Sequence, residues 1–124
     1  MAYFIVFVGA GLGGALRHGV NVLAARLLGL GFPWGTLFVN IAGSLVMGVI
    51  AALLLIKGVG NQPLRLFLTT GLLGGFTTFS PFSLDAAVMW QRGDYALLAG
   101  YGVGSVLLSI AALFLGMGAT RALV

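Results

Sequence analysis

Three stretches without a single charge dominate this chain: thirty residues between Arg26 and Lys57, nineteen between Arg65 and Asp85, and twenty-six between Asp94 and Arg121. A helix needs about 20 apolar residues to cross the hydrocarbon core of a bilayer, so each stretch predicts one crossing. The opening run from Met1 to Leu16 is shorter, but it continues past Arg17 through Val20-Asn21-Val22-Leu23-Ala24-Ala25. It has neither the basic start nor the Ala-x-Ala end of a secretory signal, and reads as a first span kept in the mature protein. The expectation is an all-α membrane protein with four transmembrane helices in one domain, 1–124, with spans at roughly 2–28, 34–56, 64–91 and 95–121.

Composition agrees. Of 124 residues, 60% are hydrophobic and 6% are charged, whereas a soluble domain carries about 25% charged residues to face water. So short a chain buries too small a share of its surface to hide the excess. The bilayer must therefore solvate most of its exterior. The net charge of +4 comes from basic residues scattered singly. Nucleic-acid binders cluster such residues on one face, so no nucleic-acid partner is implied. Without cysteine there is no disulfide framework and no thiolate metal site.

Turn chemistry supplies the joints: Gly29-Leu30-Gly31-Phe32-Pro33, Gly58-Val59-Gly60-Asn61-Gln62-Pro63 and Arg92-Gly93-Asp94. All three are short, so consecutive helices must run antiparallel, with both termini on one side. That side carries Lys57, Arg65 and Arg121, the other Arg26 and Arg92; Arg17 lies within span one. Basic residues favour the cytoplasmic side, and three against two is almost no bias. Insertion in both orientations, giving an antiparallel homodimer, is the expectation; a weak bias that still orients every copy is the alternative.

Glycine is abundant, at 21 residues, and pairs such as Gly9/Gly13, Gly71/Gly75 and Gly100/Gly104 have small-xxx-small spacing. In lipid this spacing lets helix backbones approach closely. Gly9-Ala10-Gly11-Leu12-Gly13-Gly14 also matches a dinucleotide fingerprint by letter, but no preceding strand supports it.

Polar residues inside spans are costly and usually have a task. Thr36, Asn40 and Ser44 repeat at i, i+4 and i+8, and so do Tyr101, Ser105 and Ser109. Such stripes either hydrogen-bond across helix interfaces or line a path. Neither contains a carboxylate, and hydroxyl and amide donors suit an anion. Span three contains Gly74-Gly75-Phe76-Thr77-Thr78-Phe79-Ser80-Pro81-Phe82-Ser83. In helical register Pro81 would deprive the Thr77 carbonyl of its donor, and broken membrane helices persist where protein or an ion takes up the freed groups. Two outcomes stay open here: carbonyl ligands for a hard cation such as Na⁺, or a proline kink satisfied by a neighbouring hydroxyl.

Gly14-Ala15-Leu16-Arg17, Gly35-Thr36-Leu37-Phe38-Val39-Asn40-Ile41-Ala42-Gly43-Ser44 and the Gly74–Ser83 segment are similar to the signature segments of the Fluc/CrcB fluoride channels. The resemblance covers the whole chain; the departure is Pro81, where that family usually has a small hydroxyl residue. It implies a fluoride-specific channel in the inner (plasma) membrane that lowers cytoplasmic fluoride by passive efflux. It also implies an antiparallel dual-topology homodimer with a broken third helix and a structural Na⁺ at its centre, held by the backbone carbonyls of Gly74 and Thr77. Phe79 and Phe82 would flank the fluoride sites, Asn40 would donate near them, and Tyr101, Ser105 and Ser109 would form a polar track beside Thr36 and Ser44. Arg17 matches a span-one arginine whose charge favours anion access, and Asp85 takes the place of an acidic residue that is usually Glu.

The chemistry suits that assignment. Fluoride is small and strongly hydrated, so compact donors must replace its water. Aromatic rings present positive edges, a buried cation lowers the cost of a nearby anion, and conduction requires that binding stay weak. The rival is a small dual-topology, proton-coupled multidrug exporter, which needs a carboxylate within the membrane. The acids here are Asp85, late in span three, and Asp94, in a joint. An enzyme is not indicated: His18 is the one histidine, and no nucleophile–base pair can be assembled.

Overall fold

The structure is a computed structural model describing residues 1–56, 58 and 60–124. Lys57, one of the residues counted for topology, lies outside the described residues. Among these the chain is helical, with no strand. Helix α1 (Ala2–Leu28) passes through Arg17 and His18 without interruption; α2 is Trp34–Ile56 and α6 is Tyr95–Leu123. These three are long and apolar enough to cross a membrane.

The stretch between α2 and α6 is built differently. Asn61 accepts the Leu64 N–H on its side chain at 2.9 Å and, with Pro63 in the first turn, starts the short helix α3 (Gln62–Leu66). The chain then widens into a π-helix, Phe67–Leu73, before one α turn, α4 (Gly74–Phe76). Thr77 is extended, with φ −79° and ψ 159°, and helix resumes only at α5 (Ser80–Arg92). Pro81 therefore sits in the first turn of α5, where a missing N–H costs nothing. This differs from the helical register considered for it above: the chain leaves the helix before reaching Pro81, so the Thr77 carbonyl is released by the break itself. Gly93 closes α5 in the left-handed conformation at φ 79°, ψ 13°, where a side chain would be strained. The adjacent Arg92–Asp94 ion pair, 3.3 Å, is half exposed and contributes little.

The helices associate as two parallel pairs. In one, Gly9 and Gly13 of α1 face the Gly71–Phe76 stretch. A Cβ on Gly9 would lie 2.9 Å from the Gly71 Cα, one on Gly13 would strike the Leu72 carbonyl oxygen, and one on Gly75 would strike the Ala10 carbonyl oxygen. In the other pair a Cβ on Gly48 of α2 would meet the Leu113 carbonyl oxygen, and one on Gly116 of α6 the Leu45 carbonyl oxygen. Two of the glycine pairs picked out by spacing thus form one seam between them. Gly100 and Gly104 have nothing within 4 Å, and Gly48 with Gly116 makes the second seam in their place.

Few apolar side chains are buried: Val39, Ala52, Leu73, Met89 and Tyr101. Phe4, Phe7, Leu12, Leu107, Phe114 and Leu115 are among the many that point outward. An exterior of this kind is suited to lipid.

Candidate functional site

The break at residues 77–79 is held by side chains from two other helices. Asn40 of α2 pairs with the backbone of Thr78 on both sides of its amide: Nδ2 donates to the Thr78 carbonyl at 3.1 Å, and the Thr78 N–H donates to Oδ1 at 2.9 Å. Arg17 of α1 donates from Nε to the Gly75 carbonyl at 3.1 Å. Thr77 bonds back within its own helix, its hydroxyl and its N–H both reaching the Leu73 carbonyl at 2.8 and 2.9 Å. Among the described residues no hydrogen bond reaches the carbonyls of Gly74 or Thr77. A Cβ on Gly74 would meet only the Thr69 carbonyl oxygen, at 3.5 Å, and Gly74 is exposed on the surface of the single chain.

Two cavities lie within the fold. The larger, about 510 Å³, brings together Asn40, Ser44, Phe79, Phe82, Ser105 and Ser109, and Gly74 and Thr77 also line it. Two residues of each polar stripe, Asn40 with Ser44 and Ser105 with Ser109, thus meet at one space beside the break. The hydroxyls of Ser105 and Ser109 are buried without a partner among the described protein atoms. Thr69, Thr77 and Thr120 each donate to the carbonyl four residues earlier, as hydroxyl residues in helices commonly do. Ser105 and Ser109 do not, and an unsatisfied buried hydroxyl costs about 1–3 kcal/mol.

The second cavity, about 350 Å³, lies at the end formed by the first and third joints and includes Asn21, Thr36, Pro81, Asp85 and Arg92. Thr36 falls here, apart from Asn40 and Ser44. Tyr101, 1% exposed, lines neither space but touches residues of both, and donates its hydroxyl to Asp85 Oδ2 at 3.1 Å. Aromatic rings link the two ends: Phe79 to Phe82 at 5.6 Å between centroids, Phe82 to Tyr101 at 5.0 Å, and Tyr101 to Phe32 at 5.4 Å, edge-on. Phe79 is 76% exposed, so its ring is presented on the outside of the single chain.

Residues 4–117 match the family described as CrcB-like protein, Camphor Resistance (CrcB). The chain belongs to the CrcB family. Among similar proteins are the "Fluoride-specific ion channel FluC 2" of Nitrobacter hamburgensis, 51% identical over 98% of each chain, and the "Fluoride-specific ion channel FluC" of Rhodopseudomonas palustris (strain BisB5), 53% identical over 99% of each. A protein of the same name from Methylobacterium nodulans is 57% identical over 97% of this chain and 93% of its own. This is a family of ion channels, not of enzymes, and its CrcB member here is a multi-pass membrane protein.

Three features of this CrcB chain escaped the sequence reading. Asn21 lines the smaller cavity and packs its side-chain oxygen against Gly35, where a Cβ would collide with it. Its signal was available: Gly9, Gly13, Arg17 and Asn21 form one i, i+4 stripe. The Asp85–Tyr101 bond and the Arg17–Gly75 bond had no such signal, because each depends on how two elements are rotated against one another.

Proposed function

We propose that this chain is a fluoride-specific channel, working as an antiparallel dual-topology homodimer in the inner membrane. The observation that carries the reading is the pair of buried, partnerless hydroxyls of Ser105 and Ser109, two residues that line the space shared with Asn40, Phe79 and Phe82. Each hydroxyl has one proton to give, and no protein acceptor holds it. A small anion passing through accepts those protons in turn and exchanges water for them. The aromatic edges add weak contacts that hold the ion without trapping it. None of the groups named in the 510 Å³ cavity is anionic, and fixed cations are missing too, so passage is favoured over tight binding.

Fluoride would approach Tyr101 through the smaller cavity and continue along Ser105 and Ser109. Segments 62–76 and 80–92 together would form the third membrane crossing, interrupted near its centre. A structural Na⁺ fits the chemistry of that interruption: the carbonyls of Gly74 and Thr77 lack hydrogen-bond donors, and Gly74 has no side chain to keep a second copy at a distance. In an antiparallel pair these two carbonyls of each copy would hold the ion. Bound there, it supplies a fixed positive charge that offsets the cost of an anion nearby.

The exporter reading would use Asp85 as its proton carrier. The Tyr101 hydroxyl already donates to that carboxylate. Liposomes loaded with fluoride and chloride test the choice. Passive release of fluoride with retention of chloride is expected; release that requires an imposed pH gradient would overturn the channel reading in favour of exchange.

A further inference from the structure

Arg17 has an assignment to make, because its charge and its geometry point to different tasks. An arginine that gathers anions should stand in the water-filled approach or along the path. Arg17 lines neither cavity; it is partly buried and is directed by the α1 seam onto the end of α4. Gly13, one turn before it, removes the side chain that would separate α1 from Leu72 and Phe76. That close approach brings Nε within 3.1 Å of the Gly75 carbonyl. In a continuous helix this carbonyl would accept from the N–H of Phe79, which lies beyond the break.

We propose that Arg17 is a positioning residue, which caps the Gly75 carbonyl through Nε and, with Asn40 on Thr78, determines which carbonyls at the break are left free. The inference rests on the channel reading and deepens it. Among the five carbonyls from Gly74 to Thr78, that of Phe76 also has no donor among the described residues, and the other four fall into two kinds. Those of Gly75 and Thr78 are taken by side chains from α1 and α2, while those of Gly74 and Thr77 are not. A cation at a helix C-terminus also opposes the negative end of its dipole, so the guanidinium acts on the backbone and only through it on the ion.

Donor and charge can be separated. The amide nitrogen of Gln is as many bonds from Cα as the Arg Nε, so Arg17→Gln keeps an N–H at the capping position and removes the charge. Arg17→Lys keeps the charge but puts a methylene at that position. Fluoride efflux from liposomes, at low and high concentrations of an impermeant salt, and thermal unfolding in detergent are measured for both variants and for Arg17→Ala. Capping predicts that Arg17→Gln keeps efflux within about threefold of the unmodified chain, while Arg17→Lys and Arg17→Ala lose tenfold or more, by rough estimate, at both salt levels. Thermal midpoints should follow the same order. The inference is overturned if Arg17→Lys is normal and Arg17→Gln is defective, above all if the defect changes with salt, as anion attraction requires. Indifference to all three substitutions, or equal loss in all three, overturns it too. If the unmodified chain passes no fluoride, the channel reading falls by itself. The order of thermal midpoints then upholds the cap, if Arg17→Gln alone is spared, or overturns it.

Discussion

The two helix pairs are built from the same device and do different things with it. In both, glycine backbones press directly against a neighbouring helix: Gly48 and Gly116 between α2 and α6, Gly9, Gly13 and Gly75 between α1 and the 62–76 segment. The α2–α6 pair consists of two uninterrupted helices, and its polar stripes face a cavity. The other pair sets an uninterrupted helix against one that widens into a π-helix and then stops. Continuous hydrogen bonding leaves side chains as the only polar groups to offer. The interruption offers main-chain carbonyls as well, and then needs Arg17 and Asn40 to take up those not left free. One pair lines the larger cavity, and the other carries the interruption beside it.

The comparison breaks most visibly at a seam. Gly13→Val places a branched side chain against the Leu72 carbonyl, a backbone group that cannot rotate away. We expect a loss of about 3 kcal/mol or more, read as loss of monodisperse protein on size exclusion and a large fall in thermal midpoint. Gly48→Val should do the same to the other pair. Gly74 provides the sharper contrast: its surroundings within the chain are open, so Gly74→Leu should leave a folded chain while abolishing dimerisation. Cross-linking together with circular dichroism checks this, and a normal dimer would remove the proposed centre.

Asn40→Ala comes next. It strands both the N–H and the C=O of Thr78, and each unpaired group costs about 1–3 kcal/mol; efflux should fall with stability. On the α2–α6 side stability and transport should part company. The double variant Ser105→Ala, Ser109→Ala removes two hydroxyls that have no protein partner. Its thermal midpoint should hold or rise slightly, while fluoride efflux falls by about tenfold, a change worth about 1.4 kcal/mol in barrier. Equal efflux would end the claim that these hydroxyls meet the ion. The smallest effect is expected from Pro81→Ala: in the first turn of α5 the restored N–H has no helical acceptor to recapture. A change beyond about 1 kcal/mol in thermal unfolding would contradict that placement.

The membrane class was legible in the uncharged runs, since burial in lipid acts on composition before any packing detail matters. The Gly9/Gly13 and Gly71/Gly75 spacing also foretold close contact, because a stripe at i, i+4 stays on one face whatever lies opposite. What it could not reveal was which stripe meets which. Gly100 and Gly104 satisfy the same rule and meet nothing within the chain, while Gly48 and Gly116 form a seam. The candidate site followed the same division. Asn40, Ser44, Ser105 and Ser109 share helix faces by spacing alone, and they gather in one cavity. Arg17 on Gly75 and Tyr101 on Asp85 are set by the rotation of one element against another, which no local pattern encodes. The π-helix at Phe67–Leu73 was invisible for a related reason: its residues are ordinary, and the wider turn carries the glycine seam of that segment.

The seams have a thermal consequence. In a water-soluble protein, unfolding exposes apolar surface to water, and the resulting heat-capacity increment bends the stability curve into a dome with a cold limit. Here Phe7, Leu12, Leu107 and Phe114 already face outward, and hydrocarbon surrounds them whether the helices are together or apart. Drawing Gly13 away from Leu72, or Gly48 from Leu113, exchanges backbone contact for lipid contact and wets almost nothing. Calorimetry in bilayers should therefore find a small increment for helix separation and a stability that changes nearly linearly with temperature, with no optimum in the physiological range.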